Sequence, residues 1–104
     1  MQVQDLRIGN YIKWIDNVVK VDLEILKLVS ENPGWAKPIP ITMDMIHECF
    51  RAEYGDYNIY GFKASYYKGE LYVYFEDVPK KVEYIHQLQN LIHAFCGVHI
   101  DIKL

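Results

Sequence analysis

Two short runs near the start of the chain, "GNYIKW" and "NVVKV", have strand composition and are separated by Ile15 and Asp16, with Asn17 as turn material. From Val19 to Ile25 apolar residues alternate with Lys20, Asp22 and Glu24, a period of two that predicts a half-buried strand. The phase then slips, with Leu26, Leu28 and Val29 apolar around Lys27. A one-residue slip changes the face, so a bulge, bend or strand break is expected near Ile25 and Leu26. "SENPGW" (30–35) predicts a turn with Pro33 and Gly34 at its centre, and "KPIPIT" an extended segment in which two prolines remove ladder donors.

Thr42 is a candidate N-cap for a helix over "MDMIHECFRAEY", with Asp44 in the first turn where the helix dipole favours it. The clearest hairpin follows, "IYGFKASYY–KG–ELYVYF". Tyr60, Phe62, Ala64 and Tyr66 share one face of its first strand, and Leu71, Val73 and Phe75 one face of its second. "VPKK" then leads into a helix over 82–96 that stops at Gly97. In the last segment Ile100, Ile102 and Leu104 alternate with His99, Asp101 and Lys103, which predicts a closing strand. The expected fold is a single small α+β domain over 1–104. Its antiparallel-rich sheet would combine the N-terminal strands, the Tyr-rich hairpin and the C-terminal strand, with two helices.

The helix "VEYIHQLQNLIHAFCG" concentrates the chain's candidate chemistry. At about 100° per residue, Tyr84, Ile85, Leu88, Leu91, Ile92, Phe95 and Cys96 form an apolar stripe expected to face the core. His86 and His93 fall on the other side, with Asn90 and Glu83 beside them. Seven residues correspond to about 10.5 Å along a helix, too far for two histidines to share a metal. His93 and Cys96 have the right spacing, but Cys96 lies at the edge of the apolar stripe, and nothing brings His47, Cys49 or His99 to them. Cys96 at a helix C-terminus also faces the dipole end that disfavours a thiolate. No P-loop, GxSxG or GxGxxG string occurs. The chain therefore reads as having no catalytic, metal or cofactor site. Gln87, Gln89, Asn90, His86 and His93 are uncharged hydrogen-bonding groups where a solvated face usually carries Lys and Glu. Such groups suit a partly buried polar seam, here with the helix packed between hairpin and N-terminal strands, or a docking face for another chain.

On the outward side of the hairpin, Tyr67, Tyr72 and Tyr74 are expected beside Lys63 and Lys68. Aromatic residues interleaved with lysines can stack single-stranded bases, but Glu70, Glu76 and Asp77 border the same surface. Tyrosine is also an interface residue, so a protein partner ranks above nucleic acid here. An unpaired strand edge could also support a homodimer.

Composition limits the alternatives. The 104 residues carry 11 basic and 14 acidic side chains, a net charge of −3, with no basic run that would attract polyanions over the whole surface. Two cysteines without a CxxC do not suggest a disulfide framework, so a reducing cytoplasm is the expected compartment. No apolar run approaches membrane-spanning length, and the first ten residues lack a leader pattern. An interaction module without catalytic function is the leading expectation; a nucleic-acid-binding module using the Tyr/Lys face of the 58–76 hairpin is the alternative.

"DLRIGNYI", "PIPIT" and "YIHQLQNL", in this order and at these separations, resemble a widespread family of short Bacteroidetes proteins often found in prophage-like or mobile elements. The resemblance implies an accessory role in such an element and no particular reaction or ligand. The chain departs from the family pattern after Thr42, where Met43, Asp44 and Met45 stand in place of a more acidic run. It departs again at Ala94, Phe95, Cys96 and Gly97, where the family often reads "ALTG".

Overall fold

Among the described residues, four tight reversals of the backbone organise the chain. The pairs Ile15-Asp16, Tyr60-Gly61, Lys68-Gly69 and Glu76-Asp77 all have positive φ at both positions. Each joins two antiparallel strands directly, closing at Trp14↔Asn17, Ile59↔Phe62, Tyr67↔Glu70 and Phe75↔Val78. These are the dihedrals of type I′ turns, whose twist matches that of the flanking strands. Only two of the four contain glycine. Ile15, a β-branched residue at φ 47°, holds a conformation such residues rarely adopt.

The computed structural model describes every residue except Gln2, Arg51, Tyr54, Gly55, Asp101, Lys103 and Leu104, and only the backbone of Glu53. The fold is α+β, with two antiparallel sheets and three α-helices among the described residues. It divides into two units.

The first unit comprises Met1–Pro40 and Tyr84–Ile100. Its sheet is β1 (Tyr11–Trp14), β2 (Asn17–Lys20) and β3 (Ala36–Lys37), in the order β2-β1-β3. Helix α1 (Leu23–Glu31) packs Val29 against Ile12, Val21 and Ala36, with Ile25 and Leu26 at the margin of this core. Burying a side chain such as Ile12 stabilises the fold by about 1.5–3 kcal/mol. The strand expected over 19–25 thus holds only at Val19 and Lys20, which belong to β2, and is corrected to a helix from Leu23 onward. Asp22 caps it by accepting the Ile25 N–H at 2.8 Å, and the supposed slip at Ile25 and Leu26 is the passage from period two to period 3.6. The turn at 30–35 stands in part: Trp35 N–H donates to Asn32 O across Pro33-Gly34, while Ser30 and Glu31 belong to α1.

Helix α3 (Ile85–Cys96) completes this unit. It begins three residues later than expected, with Tyr84 as N-cap, and ends at Gly97 in the left-handed region. Ile39 O accepts the Ile85 N–H at 2.9 Å, and Pro40 bridges Tyr84, so the extended "KPIPIT" segment runs beside the helix entry.

The second unit contains Ile41–Glu83. Thr42 caps α2 (Met43–Cys49), its Oγ1 accepting the Met45 N–H at 3.3 Å. The helix is shorter than "MDMIHECFRAEY" suggested, because Phe50 turns extended and Ala52–Glu53 joins the sheet. That sheet is a meander of β4 (Ala52–Glu53), β5 (Asp56–Ile59), β6 (Phe62–Tyr67), β7 (Glu70–Phe75) and β8 (Val78–Val82). The hairpin stands as expected from Phe62 to Phe75, except that Tyr60 lies in the preceding turn, where Asn58 Oδ1 accepts the Gly61 N–H. "VPKKV" is a strand, not a helix lead-in, because Glu76-Asp77 reverses the chain.

Among the described residues of the closing segment no strand is found: Val98, His99, Ile100 and Ile102 have no strand structure, while the expected strand positions Asp101, Lys103 and Leu104 lie outside the described residues. The carbonyl of Ile100 is occupied by the Gln89 side chain rather than by a ladder.

Candidate interaction surfaces

Helix α3 is turned from its expected orientation. It buries Ile85, His86, Leu88, Gln89 and Ile92, while Phe95 is 57% exposed and Cys96 is exposed as well. The apolar stripe is thus corrected at its C-terminal end, and His86 is moved from the outer side into the interior. Gln89 accounts for the rotation, because all its hydrogen-bonding capacity is met inside the unit. Its Oε1 accepts from Tyr11 N–H at 3.0 Å and from Asn10 Nδ2 at 3.3 Å. Its Nε2 donates to Gly9 O at 3.2 Å and Ile100 O at 2.9 Å. A primary amide so placed can be fully buried with little desolvation cost.

Asn90 extends the seam. Its Oδ1 accepts from Asn10 Nδ2 at 2.9 Å and Arg7 Nε at 3.3 Å, and its Nδ2 donates to Asp5 O at 3.1 Å. Asn10 Oδ1 in turn accepts the Arg7 N–H at 2.6 Å. Beside this network Gly9 has φ 96°, and a Cβ there would stand 2.5 Å from the His99 ring, so the position excludes a side chain on two counts. The amide part of the helix is therefore a seam against the amino-terminal residues. Gln87 and His93 remain exposed, with the Gln87 Oε1 accepting the Tyr84 N–H at 3.2 Å to close the first turn.

His86 borders an open groove of about 620 Å³, lined also by Pro38, Tyr84, Asn90, Leu91 and Ala94. Its ring stacks on Tyr84 at 6.0 Å and 15°. The imidazole is 6% exposed and its Nδ1 is buried without a hydrogen-bond partner. Burial holds its pKa below the ordinary value, against a smaller opposing pull from Asp5.

On the second unit, four of the five hairpin residues singled out from the sequence, Lys63, Tyr67, Tyr72 and Tyr74, share the outward face of the sheet. Alternation along β6 and β7 buries Ala64, Leu71, Val73 and Phe75 and turns Lys63, Tyr67, Tyr72 and Tyr74 the other way. Lys68 sits in the adjoining turn with its Nζ 5.3 Å from the Tyr67 ring centre. The charges on this face are locally balanced. Lys63 pairs with Asp56 at 3.4 Å and lies 5.4 Å over Tyr74. Lys81, which pairs across the sheet with Tyr72, bonds Glu70 at 2.9 Å and Glu83 at 3.4 Å. Tyr72 donates to Glu70 at 2.8 Å. Glu70 accordingly holds its proton less readily than usual, first through Lys81 and then through Tyr72, while Glu70 raises the pKa of Tyr72. Lys81, missing from the sequence-derived set, was legible only once β8 was recognised.

Among the described residues no three His, Cys, Asp or Glu side chains gather as metal ligands, and no helix is long and apolar enough to cross a membrane. Compared with family models, with curated proteins and with solved structures, the chain matches none.

Proposed function

We propose that this chain is a non-catalytic interaction module that engages another protein through the tyrosine face of the β5–β8 sheet. The observation that carries this reading is the pairing of Tyr67, 62% exposed, with the half-buried Tyr72 and Tyr74, on a face whose Lys63 and Lys81 are matched by carboxylates. Large, stiff side chains with a polar tip and little net charge suit a protein interface. A phosphate backbone would instead call for lysines not already held by carboxylates. The free thiols Cys49 and Cys96 fit a reducing cytoplasm. An accessory role in a mobile element rests on the resemblance of the three sequence strings.

The test is affinity capture from nuclease-treated host lysate, comparing the chain with a Tyr67→Ala, Tyr74→Ala variant. A protein retained by the first and lost with the second supports the reading. Capture of the same proteins by both overturns the choice of face.

A further inference from the structure

A second surface lies on the first unit, on the side of the β1–β3 sheet opposite its core. The register places Lys13 directly across from Lys37, and Tyr11 directly across from Lys20. Alternation puts Tyr11, Lys13, Val18, Lys20 and Lys37 on one side, because their neighbours Ile12 and Ala36 point into the core. All three lysines are exposed. Like charges directly opposite each other on a sheet are destabilising, yet neither Lys13 nor Lys37 has an ion-pair partner among the described residues.

Next to this pair stands an aromatic platform. Trp35 is 54% exposed, although its ring is held edge-on to Trp14 at 5.9 Å and its carbonyl accepts the Ile15 N–H. Lys13, Lys37, Trp35 and Ile15 line a shallow groove of about 190 Å³, which Asp16 also borders without pairing to either lysine. Lys20 adds a third cation beside Tyr11, its Nζ 5.9 Å from the ring centre.

We propose that this face binds single-stranded nucleic acid, with Lys13 and Lys37 against phosphates and Trp35 stacked on a base. An anion relieves the repulsion between the two lysines, and a fixed, exposed indole offers the sequence-tolerant stacking that single strands provide. The occupant is a single strand because the bases of a duplex are already stacked and cannot reach the indole. Net charge does not oppose this, since the face is locally basic on an otherwise acidic chain. The site is separate from the tyrosine face and does not depend on it.

The experiment is titration of the full chain with a fluorescein-labelled oligothymidine, read by anisotropy and by tryptophan emission. Two phosphate contacts predict an affinity loss of about 7-fold between about 50 and 200 mM salt, and a single contact a loss of no more than about 2.6-fold. Binding with the steeper salt dependence and quenching of emission is expected. Lys13→Gln, Lys37→Gln should bind more weakly and follow the shallow dependence. Trp35→Ala should weaken binding and abolish most of the quenching, while Tyr67→Ala, Tyr74→Ala should leave both unchanged. Circular dichroism of each variant checks that the fold is kept. Absence of oligothymidine binding at the lower salt, or equal binding by the lysine variant, overturns the proposal. So does polyglutamate competing as well as unlabelled oligothymidine, which would make the face a site for acidic peptides, or loss of binding in the tyrosine variant.

Discussion

The Gln89 side chain takes the place of a strand beside Tyr11: its Oε1 accepts the Tyr11 N–H at 3.0 Å at the point where β1 begins. The same amide donates to the carbonyls of Gly9 and Ile100, so one side chain joins the segment entering β1 to the segment leaving α3. With Asn90 on Asn10, Arg7 and Asp5, the sequence strings "DLRIGNYI" and "YIHQLQNL" are partners in one hydrogen-bond network. These bonds account for the choice of Asn10, Gln89 and Asn90 in the two strings.

Replacing Gln89 by leucine keeps approximate volume and leaves Tyr11 N–H, Gly9 O and Ile100 O without this partner. Buried polar groups so stranded cost about 1–3 kcal/mol each, partly offset by relaxation and by greater apolar burial. Gln89→Leu is expected to lower stability by about 2–4 kcal/mol in urea unfolding, while Gln87→Leu, at an exposed position, should cost under about 1 kcal/mol. Equal effects of the two would show that the seam does not hold the unit together.

The same seam explains what could be read in advance. An internal seam at Gln89 and Asn90 was one of two readings the sequence allowed, because uncharged amides replace Lys and Glu there; the other, a docking face, does not hold for Gln89, which is fully buried. Its partner was not: no spacing rule links Asn10 to Gln89, since their contact is tertiary. The orientation of α3 failed for the same reason. A polar residue satisfied on all sides is as buriable as leucine, so the apolar stripe alone placed the inward face wrongly and left Phe95 and Cys96 inside. Turns divided similarly. Lys68-Gly69 announced itself through glycine, whereas Ile15-Asp16 was marked mainly by its neighbours, and Glu76-Asp77 went unseen, hiding β8 and with it the role of Lys81. Asp22 was the missed helix signal, because alternation around it imitated a strand. The tyrosine face survived because period two within a well-marked hairpin fixes which residues share a side.

Tyr66 faces inward on β6, and its hydroxyl is buried without a hydrogen-bond partner. Burial, and to a lesser degree Tyr57, pushes its pKa up to about 12. The folded state therefore keeps a proton that an unfolded tyrosine releases near pH 10, and the residue removes stability as pH rises above about 10. Tyr66→Phe deletes the unpaired group and keeps the ring. It should stabilise the protein by about 1 kcal/mol at neutral pH, and the phenolate absorbance of the folded chain should lose a tyrosine whose pKa is about 12. A destabilised variant would mean that the hydroxyl has a partner.

His86 predicts a pH dependence of the opposite sense. Burial depresses its pKa below the usual 6.5, outweighing the raising influence of Asp5. Above 6.5 the ring is neutral in both folded and unfolded chains and contributes no slope. As pH falls through that value the unfolded chain takes up a proton that the folded ring still refuses, so stability declines until the folded pKa is passed. The slope from this one site cannot exceed about 1.4 kcal/mol per pH unit. His86→Phe preserves an aromatic ring against Tyr84 and removes the titration. Urea midpoints measured from about pH 7.5 to 5 should fall more steeply for the native chain than for this variant, with the two curves diverging only below the ordinary histidine pKa. Parallel curves would mean that the ring titrates alike in folded and unfolded chains, so that burial does not hold it neutral; a shallower fall for the native chain would mean a ring held protonated beside Asp5.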